Sequence, residues 1–186
     1  AAGALDDAAT RPYPLIGVLF VTPLLVMALW ALLSSRLRAV LLDIPMPLLI
    51  GLNFMRIFGV MFLLLATAGR LGGPFPQSAG WGDIITGALA IPVAFFAART
   101  PPRHDGIIVA WNTFGALDLF VAVFLGVTST NGSNLQLIDA GSGAAAMQFL
   151  PFSLVPTVLV PFYLLTHAVV FAKLAERRRA PLMAKA

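Results

Sequence analysis

The chain has 186 residues, of which 59% are hydrophobic and only 11% are Asp, Glu, Lys or Arg. A soluble domain carries about 25% charged residues, so this composition excludes an ordinary water-soluble globule. There is no cysteine, which also excludes disulfides, thiolate metal sites, iron–sulfur ligation and cysteine nucleophiles. The formal net charge is +4, but the basic residues gather at the ends of apolar runs and in the tail, where anionic lipid headgroups attract them. No nucleic-acid-binding motif accompanies the charge, so nucleic acid is not an expected partner.

Apolar runs of about 20 residues match the thickness of a bilayer and predict an all-α integral membrane protein, a single five-helix bundle. The predicted helices are 14–34, 47–69, 82–99, 107–127 and 151–174. The first run, PLIGVLFVTPLLVMALWALLSS, is longer than a signal-peptide core and is followed by Arg-Leu-Arg, so it reads as a retained span. Between the second and third runs, GRLGGPFPQSAG reads as a turn-rich break. Pro101 and Pro102 stop the third helix. The segment TSTNGSNLQLIDAGSGAAAMQ is the one long polar loop, with NLQLI as a short surface segment.

Five spans place the termini on opposite sides. Arg36, Arg38, Arg99, Arg103, Lys173, Arg177, Arg178, Arg179 and Lys185 fall on one face, against Arg11 and Arg70 on the other. The positive-inside rule then puts the N-terminus outside and the C-terminus in the cytoplasm. Tyr13, Trp30, Trp81 and Trp111 lie near predicted ends, where aromatics anchor helices in the interface.

Charge inside hydrocarbon needs a partner. Arg56 lies nine residues into the second run and Asp118 eleven into the fourth, about 14 and 16 Å deep at the helical rise. Both come near the midplane, so an ion pair is expected between them. Asn53, Asn112 and His167 extend this pair into a polar seam, faced by the small residues Thr86, Gly87 and Ala90. A second pair, Arg70 with Asp83, is expected at the outer rim, with Asp83 in the first turn of its helix. If Arg56 and Asp118 serve only each other, removing one should be worse than removing both. Pro156 and Pro161 are expected to kink the last helix.

The motifs Trp81-Gly82-Asp83 and Trp111-Asn112 with Gly115 and Asp118, then the proline-rich last span with His167, resemble a group of small uncharacterised bacterial polytopic inner-membrane proteins. The likeness covers about residues 47–175. It implies a five-helix bundle in the bacterial inner membrane and carries no activity. One intramembrane histidine cannot supply two axial haem ligands, and no zincin, nucleophile-elbow or phosphate-loop pattern occurs. The sequence names no catalytic residue, metal site or cofactor. Two functions follow from different classes. One is a non-catalytic subunit or assembly factor of a larger membrane complex, with other membrane subunits or its own copies as partners besides the bilayer. The other is a binder or transporter of a small solute, ion or lipid-like molecule that uses the seam.

Overall fold

The computed structural model describes residues 15–99 and 105–183. All regular structure in them is helical. Tyr13, His104 and the proline pair at 101–102 lie outside the described residues.

Five helical stretches are long and apolar enough to cross a membrane: Leu15–Leu33, Met46–Thr67, Phe75–Ala98, Asp105–Thr128 and Val155–Arg179. They are called spans 1 to 5. Span 1 is α1 (Leu15–Leu33), an apolar helix that contributes no buried residue. A helix apolar all round suits a lipid solvent. Phe20 and Leu24 pack it onto a cluster of Leu119, Val160, Tyr163 and Leu164.

A short amphipathic helix, α2 (Ser35–Asp43), follows at once. The Ser34 hydroxyl accepts from Leu37 N–H at its N-terminus, satisfying one of the free donors of the first turn. Arg38 donates back to the carbonyls of Ala31 and Leu32, which the end of α1 leaves free. Lys173 of the last helix donates to the Leu42 carbonyl. The two cations thus cap two helix C-termini at one end of the bundle, where the Arg177–Asp105 bridge of 3.2 Å also lies.

Span 2 is not one regular helix. It runs as α3 (Met46–Gly51), a tighter 3₁₀ stretch over Leu52–Gly59, and α4 (Val60–Thr67). Runs of 3₁₀ beyond three or four residues are uncommon and often mark a functional or constrained segment. This one carries Asn53 and Arg56.

Span 3, α5 (Phe75–Ala98), begins seven residues before the predicted start. The break predicted from its prolines and glycines is shorter than expected, because proline is tolerated in a first helical turn, where no intrahelical donor is required. Span 4 is α6 (Asp105–Thr128). The long loop then folds back over this end of the bundle. Leu137 and Ile138 both donate to the Thr128 carbonyl, and Gly72 N–H donates to Gly143 O at 2.9 Å, tying two loops together. NLQLI forms no regular element, and Leu135 and Leu137 are exposed. Span 5 opens with a π-helical stretch, Val155–Leu159, and continues as α7 (Val160–Met183). Pro156 and Pro161 lack the N–H that an α-turn needs, and the helix widens there.

Two apolar clusters fill the two ends. Met46, Ile50, Val93, Ile108, Trp111 and Leu174 pack at the Arg177 end. Phe62, Leu71, Phe75, Ala79 and Met147 pack at the long-loop end. The polar residues lie between them. Trp111 is buried and donates to the Thr86 carbonyl at 3.0 Å, so it is a core residue and not the interfacial anchor expected of it. Trp30 is exposed near the end of α1, whereas Trp81 is exposed six residues inside α5, away from the span end expected for it.

Candidate functional site

Arg56 is the centre of the polar layer, and only 1% of its side chain is accessible. Its Nη2 donates to Asp118 Oδ2 at 2.5 Å, the partner that matched depth predicts. Its Nε donates to Asp83 Oδ1 at 2.7 Å. Nη1 donates to the Gly115 carbonyl at 3.1 Å and toward His167 Nε2 at 3.2 Å. A guanidinium has five N–H donors and no acceptor, and the chain itself occupies most of them. The Tyr163 ring lies 5.8 Å from the guanidinium carbon and covers one face, an attractive cation–π placement.

The expected rim pair is therefore not formed. Asp83 pairs with Arg56, while Arg70 is exposed and makes no ion pair with it. The cause is the early start of α5. A helix beginning at Phe75 carries Asp83 two turns inward, to the depth of Arg56, instead of leaving it in the first turn. The intramembrane pair is thus a triad with one cation and two carboxylates.

Asn112 and His167 form the next layer. A guanidinium only donates, so His167 Nε2 presents its lone pair and the ring proton sits on Nδ1. Nδ1 then donates to Asn112 Oδ1, the two atoms lying 2.7 Å apart. The Asn112 amide donates in turn to the His167 backbone carbonyl at 3.1 Å. One asparagine thereby fixes both the tautomer and the ring orientation of the histidine. Asn53 donates to Leu49 O and to the Thr166 hydroxyl, at 3.1 and 3.3 Å. Of the three seam residues predicted around the Arg56–Asp118 pair, His167 meets Arg56 directly and Asn112 is joined to it through His167, whereas Asn53 is bonded to Leu49 and Thr166 instead. Thr166 escapes a search for charged and amide residues, and its adjacency to His167 is the only signal for it. Asn53 Oδ1 and Thr86 Oγ1 are buried without a hydrogen-bond partner.

Close approach makes the site possible. A methyl group at Gly82 would fall 1.6 Å from Asp118 Oδ1, so glycine at that position is what lets the carboxylate of span 4 reach past span 3 to Arg56. Thr86, Gly87 and Ala90 are buried against the same region, as small residues at helix contacts are expected to be.

No group of three or more histidine, aspartate or glutamate side chains is arranged to hold a metal ion among the described residues. The layer can hold charge and fix the register of spans 2 to 5. It lacks a nucleophile paired with a base. A model of the family described as a domain of unknown function (DUF8737) matches residues 13–175. No curated protein and no solved structure matches the chain.

Proposed function

The chain belongs to the DUF8737 family, and we propose that it is a non-catalytic multi-pass membrane protein acting as a subunit or assembly factor of a larger membrane complex. One observation carries this reading. The donors of Arg56 are turned onto Asp83, Asp118, Gly115 and His167 of the same chain. The midplane cation is thus spent within the chain on groups from spans 3, 4 and 5, so the charged layer serves as a lock between spans.

The outer surface leaves apolar faces free for such partners. Phe114, Leu117, Phe120 and Phe124 stand exposed along α6, and Leu25, Leu29 and Leu33 along α1. Spacings of three and four residues place each set on one helical face. Such aromatic and aliphatic stripes suit lipid chains and apolar partner helices alike. Solubilised from its own membrane in a mild detergent, the protein is expected to migrate as an assembly well above its 19.7 kDa monomer plus micelle. A monomer as the sole species would refute the reading.

The membrane we infer is the bacterial inner membrane, with the N-terminus outside and the C-terminus cytoplasmic. The support is the nine-to-two distribution of basic residues between the two faces. A reporter fused after Ala186 should be active only as a cytoplasmic fusion; periplasmic activity would reverse the orientation.

A further inference from the structure

A cavity of about 120 Å³ opens beside the charged layer. Span 1 bounds it with Ile16 and Phe20, span 4 with Leu119 and Ala122, and span 5 with Val155 and Val160. It extends to Thr130, Ser133 and Gln148 of the long loop, at the end of the bundle away from Arg177. Its walls are almost wholly apolar. Engineered protein cavities near 150 Å³ with such walls hold benzene, so this space suits one ring or about six carbons.

Among the described residues, Asp83 is the one ionisable side chain that lines the cavity. Its Oδ1 is held by Arg56, whereas among the described residues no group donates to its Oδ2. The Asp83 side chain is also the most accessible of the triad, at 16% against 7% for Asp118 and 1% for Arg56. The charge count points the same way. Asp83 and Asp118 together outnumber the single guanidinium, and among the described residues no second cation pairs with either carboxylate. A carboxylate in an apolar pocket is costly unless a cation or donor meets it. An ammonium has three donors and no acceptor, which fits the unused Oδ2.

We propose that this cavity binds a small hydrophobic amine, with its ammonium on Asp83 Oδ2 and its apolar body between spans 1, 4 and 5. The site ends at the ion triad. Neither Asn112 nor His167 lines it, so it is a dead-end pocket open toward the long-loop side, independent of whether the chain docks in a larger complex. Among the described residues the lining holds the neutral donors Thr130, Ser133 and Gln148 and no cation to meet a phosphate, which argues for a free amine over an aminophospholipid headgroup.

The test uses the full chain in nanodiscs of phosphatidylcholine, titrated at pH 7 with cyclohexylmethylamine, cyclohexylmethanol and cyclohexanecarboxylate. The amine should bind saturably and at least tenfold more tightly than the alcohol, and the carboxylate should not bind. Asp83→Asn should weaken the amine at least tenfold. Ala122→Phe, which fills the cavity and leaves the triad intact, should abolish binding and keeps the test valid should Asp83→Asn fail to fold. Equal affinity for amine and alcohol, preference for the carboxylate, or unchanged binding in Ala122→Phe would overturn the proposal. Adding phosphatidylethanolamine to the discs should leave the amine affinity unchanged. A tenfold loss there would assign the pocket to the lipid headgroup instead.

Discussion

Arg56→Gln is expected to be the most damaging single substitution in the triad, lowering the thermal midpoint in detergent by about 6–20 °C. Removing one member of a buried ion pair costs about 3–5 kcal/mol, because the partner charge is left desolvated. In a chain of this size 1 kcal/mol corresponds to about 2–4 °C. Here two carboxylates are stranded together, and the Gly115 carbonyl and His167 Nε2 lose their donor as well. Asp118→Asn should be milder, about 1–3 kcal/mol, since Arg56 keeps Asp83 and an amide oxygen can still accept a hydrogen bond. The sequence alone predicts that adding Arg56→Gln to Asp118→Asn restores stability. The structure reverses that expectation: the double variant still leaves Asp83 without a cation. Only the triple variant Arg56→Gln, Asp83→Asn, Asp118→Asn removes every unpaired charge and should recover much of the loss. Equal recovery in the double and the triple, followed by circular dichroism or tryptophan fluorescence, would show that Asp83 is not coupled to Arg56.

Hydropathy makes the five spans legible because a bilayer imposes length and apolarity on each one. The Arg56–Asp118 contact is legible for a related reason. Two charges at one depth in a small bundle have few other groups to meet, and the rise per residue measures depth directly from the sequence. The misassigned partner of Asp83 traces to a different kind of information. FPQSAG is poor in helix formers, yet the bundle folds it into the first turns of α5, right after Gly72, Gly73 and Pro74, and tertiary packing overrides propensity. That shift moves Asp83 by two turns and changes a rim cap into one of the two carboxylates of the ion layer. The 3₁₀ stretch at Leu52–Gly59 leaves no trace in the apolar pattern, since the residues it buries at a spacing of three, Asn53, Arg56 and Gly59, are not apolar side chains. Trp111 resembled an anchor because it lies near a span end. Only packing shows that its indole N–H is spent on the Thr86 carbonyl.

The second large effect is expected at Gly87, where span 3 rests on the 3₁₀ stretch of span 2. A methyl group there would fall 2.6 Å from Ile57 N and 3.1 Å from both Arg56 C and Phe54 O. These are backbone atoms, so no rotamer change can relieve the clash, and α5 must move away from the segment that carries Arg56. Overpacking of this kind costs about 1–3 kcal/mol. Helix propensity acts in the other direction, since alanine is favoured over glycine by about 1 kcal/mol in a helix interior. Against a backbone obstacle the steric term wins, and the net cost of up to about 2 kcal/mol is expected to lower the thermal midpoint of Gly87→Ala by up to about 8 °C; a raised midpoint would show that the contact can open. Gly82→Ala supplies the contrast. Its obstacle is the Asp118 carboxylate, a side-chain end that can swing aside at the expense of its bond to Arg56. In an Asp118→Ala background that obstacle is gone, so Gly82→Ala should become nearly neutral while Gly87→Ala keeps its full cost. The two residues thus separate into one coupled to the ion triad and one coupled to the backbone beneath it. Equal losses for Gly82→Ala in both backgrounds would mean that glycine at position 82 serves helix packing and not the reach of Asp118 to Arg56.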